Sequence, residues 1–177
     1  LYLPYAAIAG ASPSSSRNAP LHRIGEGHKS MKKHEGRKKT MTKVIVFANQ
    51  KGGVAKTTTA IALAQSLALD GKKVLFFDLD PQENASNTLR LKQDVPNLYD
   101  LMTAPDGDTS VFDACLQSVE GCKNITAIRG NIQLSAADLM FNRQGREFII
   151  KERLEAHKSG FDVVIMDTPP ALGVLTV

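Results

Sequence analysis

The chain has 177 residues, of which 42% are hydrophobic and 23% charged, so it is long enough for one globular, soluble domain. Its net charge of +4 is uneven, because residues 1–40 contribute +6 and residues 41–177 contribute −2. No apolar run approaches the roughly 20 residues of a membrane span, and Cys115 and Cys122 lack the spacing of a metal or redox site.

Residues 1–40 are a basic leader rich in Ser, Pro, Gly and Lys, without a sustained apolar period. We predict that this leader is disordered, because it has little apolar surface to bury. A basic arm can contact nucleic acid or an acidic membrane, although a solvated tail is the simpler interpretation. Met41 or Met31 is a hypothetical natural start, which would make the leader non-native. The predicted division is therefore the leader and a domain over residues 41–177.

From Met41 onward, strand-like and helix-like runs alternate. Residues 44–48 form a continuous apolar run, which is typical of a buried parallel strand. A Gly-rich loop precedes a predicted helix over 57–70, which Gly71 ends. A second buried strand is predicted over 74–77. This alternation predicts an α/β fold with a parallel sheet and helices on both of its faces.

The second half of the chain continues the pattern less clearly. Residues 84–118 read as mixed helix and loop, with a polar break at 104–108. The later predicted elements are short strands over 125–128 and 132–134, a helix over 136–158 interrupted near Gly145, and a buried strand over 163–166 that ends in Asp167.

The loop between the first strand and the first helix has the composition of a phosphate-binding loop. Its residues are Gln50, Lys51, Gly52, Gly53, Val54, Ala55, Lys56, Thr57 and Thr58. Glycines let backbone N–H groups surround a phosphate, and the following helix directs its positive end at the same anion. Lys56 would neutralise the β- and γ-phosphates of a nucleotide, and the Thr57 hydroxyl would bind Mg²⁺. Gln50 and Ala55 depart from G-x-x-x-x-G-K-[ST], but the flanking strand and helix favour a phosphate loop over a chance turn.

Carboxylates follow two predicted strands at their C-terminal ends. Asp78 and Asp80 end the second strand, and Asp167 ends the later one. Ligands bind at this edge of parallel sheets, where one carboxylate can hold Mg²⁺ through water and another can orient an attacking water. A single Asp after a strand is more often a cap or turn residue. We interpret Asp80 and Asp167 as functional, and leave Asp78 open between a metal ligand and a turn residue.

These motifs together resemble the ParA/Soj/MinD superfamily of P-loop ATPases, over residues 41–177. Residues 50–57 satisfy its deviant Walker A motif, x-K-G-G-x-x-K-[ST], and the strings at 78–82 and 167–173 are most similar to the ParA/Soj branch. The resemblance implies a P-loop NTPase-like fold. It also implies a fold that is incomplete at its C-terminus, because family members continue well beyond the last predicted strand.

The resemblance implies a role for each matched residue. Lys51 corresponds to the lysine that reaches across an ATP-bound homodimer to the partner's nucleotide, and with Lys56 and Mg²⁺ it stabilises phosphate charge. Thr58 would contact the α-phosphate. Asp80 corresponds to the residue that positions the hydrolytic water, and Asp167 to the Walker B aspartate behind the Mg²⁺ shell.

The resemblance also implies a function, a Mg²⁺-dependent ATP hydrolase that dimerises on ATP and binds DNA without sequence preference to segregate plasmids or chromosomes. A ParB-like partner would stimulate slow hydrolysis in a cytoplasmic, nucleoid-associated protein that needs no membrane. The alternatives are a MinD-like membrane ATPase, for which the resemblance implies a C-terminal amphipathic helix that is not found within residues 1–177, and an inactive fragment. The nitrogenase-iron-protein branch is disfavoured, because Cys115 and Cys122 match no cluster-binding motif.

Overall fold

One mixed sheet organises the protein, in a computed structural model that describes residues 41–136 and 148–170. Its strands are β1 (Lys43–Phe47), β2 (Val74–Asp78), β3 (Gln117–Ser118), β4 (Ile125–Ile128) and β5 (Val163–Asp167). Their spatial order is β1-β5-β2-β4-β3. All neighbours are parallel except β3, which runs antiparallel to β4. The C-terminal ends of β1, β2 and β5 therefore meet at one edge.

Helices cover both faces of this sheet, which confirms the predicted fold class. The helices are α1 (Lys56–Leu69), α2 (Asn84–Thr88), α3 (Leu98–Thr103), α4 (Ser110–Cys115) and α5 (Ile149–Glu155). One core contains Leu75 and Phe77 with apolar residues of α3, α4 and α5. The other contains Val74 and Phe76 with residues of α1 and α2. Alternate side chains of β2 thus enter opposite cores, as the period of a strand requires.

Local sequence explains where α1 ends. Gly71 has φ +77, a left-handed conformation that glycine adopts without a side-chain penalty. Its N–H donates to the carbonyl of Ala68 at 3.0 Å, and the N–H of Lys72 donates to the carbonyl of Leu67 at 3.0 Å. This pair of bonds is a Schellman motif, so the predicted stop at Gly71 is confirmed.

The first strand differs from its prediction. The apolar run predicts a buried strand, but Val44 is 46% exposed and Val46 is 49% exposed. The reason is position, because β1 pairs with β5 on one side and no other described strand lies on its second side. An apolar run alone cannot distinguish a central strand from an edge strand.

Two later elements also differ. The strand predicted over 132–134 is wrong, since a 3-10 helix occupies Ile132–Ala136. Asn131 favours this 3-10 helix, because it accepts two hydrogen bonds at the start of the turn. Its side-chain Oδ1 accepts from the N–H of Gln133 at 2.8 Å, and its carbonyl oxygen accepts from the N–H of Leu134 at 2.9 Å. The helix predicted over 136–158 is present as α5, which ends at Glu155 before a 3-10 helix at Lys158–Gly160. Residues 137–147, with the predicted break near Gly145, lie outside the described residues. The leader and residues 171–177 also lie outside the described residues.

Candidate functional site

The phosphate loop connects β1 to α1 and is exposed over residues 48–55. Gly53 has φ 71 and Ala55 has φ 62, so the chain turns through left-handed conformations before the helix. A Cβ at Gly52 or Gly53 would meet no atom within 4 Å, so no other part of the chain packs against the loop there. The first intrahelical bond runs from the N–H of Thr59 to the carbonyl of Ala55 at 2.9 Å. The preceding amides of the first turn have no intrahelical acceptor and are available to an anion.

The outer part of the loop contains Lys51. This lysine is exposed, and its backbone N–H donates to the Oδ1 of Asn49 at 2.9 Å. The bond fixes the loop backbone while the Lys51 side chain lies at the surface. Its exposed position is compatible with contact to a second molecule.

Asp167 lies behind the first turn of α1. Its side chain is fully buried, and neither carboxylate oxygen accepts a hydrogen bond from any residue that the structure describes. Burial raises the pKa of Asp167, and the nearby Thr57 hydroxyl lowers it. The Asp80 carboxylate raises the same pKa, and the Lys56 ammonium lowers it. An unsatisfied buried carboxylate beside a hydroxyl oxygen is a suitable environment for a hard cation such as Mg²⁺.

Asp80 lies two residues beyond the pairing of β2 with β5, where Asp78 is the register partner of Asp167. The N–H of Leu79 donates to the carbonyl of Asp167 at 2.8 Å, which joins the two strand ends. Asp80 is 7% exposed, and its Oδ1 accepts from the N–H of Gln82 at 2.9 Å. The structure therefore brings Lys56, Thr57, Asp80 and Asp167 together at one edge of the sheet.

Asp78 has a different environment. Its Oδ1 accepts from the N–H of Asp80 at 3.1 Å, and its Oδ2 accepts from the N–H and the hydroxyl of Ser86 at 2.7 and 2.6 Å. Burial raises the pKa of Asp78 to about 6, although these hydrogen bonds oppose the shift. Both carboxylate oxygens of Asp78 are thus occupied by hydrogen bonds within residues 78–86. Of the two roles that the sequence left open, this geometry favours a turn residue over a metal ligand.

Thr168 links the end of β5 to the end of β1, the strand that leads into the phosphate loop. Its hydroxyl donates to the carbonyl of Phe47 at 2.9 Å, at the point where β1 passes into the phosphate loop. Sequence reasoning assigned no role to Thr168 or to Ser86. The sequence places Thr168 within the string at 167–173 and Ser86 shortly after the string at 78–82. Such positions indicate that the residues lie near the site but do not identify their contacts.

No group of three or more His, Cys, Asp or Glu in residues 41–136 and 148–170 is arranged to hold a metal ion. Mg²⁺ usually takes one or two protein ligands and completes its shell with water and substrate phosphate. Thr57 and Asp167 fit that pattern. Within the same ranges, none of the helices has the length and apolarity to span a membrane.

Known proteins are similar to this chain in sequence and in fold. The AAA_31 family model, an AAA domain, matches residues 42–177. The sporulation initiation inhibitor protein Soj of Bacillus subtilis is 41% identical over 140 residues, which are 77% of this chain and 53% of Soj. The chain spans about half the length of the curated relatives it matches.

Solved structures agree with this match. Cobyrinic acid a,c-diamide synthase from Mycobacterium smegmatis, with bound ATP analogue and magnesium, is 39% identical with a TM-score of 0.69, over 77% of this chain and 55% of that one. A plasmid partition protein from Borrelia burgdorferi is 26% identical with a TM-score of 0.66, over 77% and 59% of the two chains. This chain therefore belongs to the AAA_31 family and is a homologue of the Soj and ParA partition proteins.

Proposed function

We propose that this protein binds ATP with Mg²⁺, hydrolyses it, and uses the cycle to partition DNA. The observation that most supports the proposal is Asp167, whose fully buried carboxylate has no hydrogen-bond partner among the described residues and lies beside Thr57 and Lys56. An isolated fold gains nothing from such a group, because an unsatisfied buried charge is destabilising. A bound cation would compensate that cost.

Nucleotide binding follows from the loop and the helix start. Amides of residues 52–58 would donate to phosphate oxygens, with Thr58 nearest the α-phosphate and Lys56 nearest the β- and γ-phosphates. Thr57 would hold Mg²⁺ directly, and Asp167 would hold it through water. Bound Mg²⁺ would neutralise phosphate charge that develops during transfer to water.

Asp80 is the residue that we assign to the attacking water. Its carboxylate lies close enough to Asp167 to raise the pKa of that residue. The N–H of Gln82 holds one oxygen of Asp80 in place. A fixed carboxylate can accept a hydrogen bond from a water and orient it towards the γ-phosphate.

Assembly and DNA contact are proposed from the homologues. One relative bears the name chromosome-partitioning ATPase Soj, and others are named chromosome partitioning protein ParA. We infer a homodimer that forms on ATP, with the exposed Lys51 reaching the partner's nucleotide, and a ParB-like activator. Non-specific DNA binding, with a cytoplasmic and nucleoid-associated location, is part of the same proposal.

The proposal is tested by ATP hydrolysis and by co-sedimentation with DNA, each with and without ATP. We expect slow, Mg²⁺-dependent turnover and ATP-dependent binding to DNA. Lys56→Ala should lose nucleotide binding, whereas Asp80→Ala should keep binding and lose turnover. Lys51→Ala should keep monomeric ATP binding but lose dimerisation in analytical ultracentrifugation.

The matched control is Lys92→Ala, since Lys92 is an exposed lysine outside the loop. Unchanged nucleotide affinity in Lys56→Ala would contradict the proposed binding site. ATP-dependent binding to lipid vesicles, without binding to DNA, would contradict the partition role and favour a membrane-associated positioning ATPase.

A further inference from the structure

The turn that contains Asp80 lies against Arg129 and Gly130, the two residues that directly follow β4. Neither residue belongs to the phosphate loop or to the strand ends at Asp78 and Asp167. We propose that Arg129 and Gly130 are positioning residues, which hold Asp80 where it orients the attacking water. The proposal deepens the ATPase function proposed above and rests on it.

The first set of contacts begins at Arg129, which is 4% exposed. Its Nη1 donates to the carbonyl of Leu91 at 2.9 Å. Its Nη2 forms an ion pair with the carboxylate of Glu83 and donates to the Oδ1 of Asn87 at 3.3 Å. A guanidinium buried this deeply depends on its partners, because an unpaired buried charge is costly. Arg129 therefore fixes the side chain of Glu83.

Glu83 passes this constraint to Asp80. Its Oε1 accepts from the N–H of Ile132 at 3.1 Å, and its own N–H donates to the carbonyl of Asp80 at 2.9 Å. Glu83 has φ 56, a left-handed conformation that residues with a side chain rarely adopt. The contacts of its carboxylate with Arg129 and with the N–H of Ile132 oppose the cost of that conformation.

The second set of contacts begins at Gly130. Its N–H donates to the Oγ of Ser86 at 3.0 Å, and this hydroxyl donates to the Oδ2 of Asp78 at 2.6 Å. Asp78 in turn accepts from the N–H of Asp80 at 3.1 Å. A Cβ at Gly130 would lie 3.0 Å from the carbonyl oxygens of both Asp78 and Asp80. Glycine is needed here for close approach of two backbone segments.

The two sets of contacts reach Asp80 from different sides. Glu83 binds its carbonyl oxygen, and Asp78 binds its N–H. With both backbone groups of Asp80 held, the two residues that follow β4 constrain the direction of its Cα–Cβ bond. Neither set touches the phosphate loop, so weakening either should lower turnover and leave ATP affinity unchanged. A merely structural role would instead lower both together with thermal stability.

Gly130→Ala is the first test, with kcat measured separately from the Kd for ATP. The new methyl group must push the backbone of Asp78 and Asp80 by a few tenths of an ångström, which should lower kcat about tenfold. The Kd for ATP should change less than about twofold, since the phosphate loop is not touched. Gly160→Ala is the matched control, because a Cβ at Gly160 meets nothing within 4 Å, and it should keep the kcat of the wild type.

A second test uses Glu83→Gly, Arg129→Met and their combination. Glycine adopts the left-handed conformation freely, so Glu83→Gly keeps the turn accessible while it removes the contact with Arg129. Each single change should lower kcat about tenfold, and the combination should be no worse than the more severe single change. Amide hydrogen exchange at residues 82–86 should be faster in all three proteins.

Each outcome decides the inference. Unchanged kcat in Gly130→Ala and Glu83→Gly, in a wild-type protein that hydrolyses ATP, would overturn it and leave the proposed function standing. A kcat about 100-fold lower in the combined variant would overturn it too, because the two single changes would then act independently and not through one contact. Parallel losses of kcat and ATP affinity would indicate general destabilisation and have the same consequence. A wild-type protein that neither binds nor hydrolyses ATP would refute the proposed function, and the inference with it.

Discussion

Replacement of Asp167 by Asn should stabilise the nucleotide-free protein while it removes the Mg²⁺-dependent part of nucleotide binding. Burial raises the pKa of Asp167 above its ordinary value. A raised folded-state pKa gives stability that is present below the unfolded pKa and is lost as pH rises through the folded pKa. At neutral pH the ionised, unsatisfied carboxylate is therefore a net cost, and a neutral amide of the same shape relieves it.

The magnitude follows from the buried group. The amide removes the charge but is itself a polar group without partners, so the gain is the extra cost of the charge alone, about 1–3 kcal/mol. For a chain of this size each kcal/mol corresponds to about 2–4 °C in Tm, so we expect a rise of roughly 2–12 °C without nucleotide. At saturating ATP and Mg²⁺, about 100 times Kd, the wild-type protein should gain about 2.7 kcal/mol. Asp167→Asn should gain no more from ATP with Mg²⁺ than from ATP alone.

The assay is thermal unfolding followed by circular dichroism, in four conditions that combine the presence or absence of ATP and of Mg²⁺. Asp94→Asn is the matched control, because Asp94 is exposed and should change Tm by less than about 1 °C. A fall in the Tm of nucleotide-free Asp167→Asn would show that the carboxylate is satisfied in the free protein. That result would refute the reasoning from its burial.

Three further predictions concern single side chains. Burial raises the pKa of the Cys115 thiol to about 12, so iodoacetamide at pH 8 should modify the less buried Cys122 first, and mass spectrometry showing equal rates would contradict this. Burial raises the pKa of Asp78 to about 6, so its stabilising effect should be present below about pH 4 and be lost as pH rises through about 6. In urea denaturation, the free energy of unfolding of the wild type, measured relative to that of Asp78→Asn, should fall by up to about 3 kcal/mol from pH 4 to pH 7. If the difference between the two proteins is the same at both pH values, the raised pKa of Asp78 is excluded. Ala55→Gly removes the side-chain penalty at φ 62 and should raise stability by roughly 0.5–1 kcal/mol, whereas a lower Tm would show that the conformation is not strained.

Sequence reasoning succeeded where chemistry and spacing are local. The loop at 50–58 lies between a strand and a helix, and parallel strands bring Asp80 and Asp167 to one edge. These relations follow from alternation of strands and helices, so no tertiary knowledge is required. The roles of the individual site residues stay predictions until they are measured.

The rest of the site depends on contacts that spacing does not encode. Gly130 and Ser86 are 44 residues apart, and Arg129 and Glu83 are 46 residues apart, yet each pair is in contact. A glycine after a strand and a buried arginine have no periodic pattern that would reveal these partners. The exposure of β1 was missed for a related reason, because it is set by the neighbours of the strand and not by its own residues.

The most direct measurement is equilibrium binding of ATP to the wild-type protein, to Lys56→Ala and to Asp80→Ala, with Mg²⁺ and with EDTA in its place. We expect saturable binding by the wild type that weakens when EDTA removes Mg²⁺, near-complete loss in Lys56→Ala, and an unchanged Kd in Asp80→Ala. Absence of saturable binding by the wild type, or equal binding by Lys56→Ala, would contradict the assignment of residues 50–58 as an ATP site.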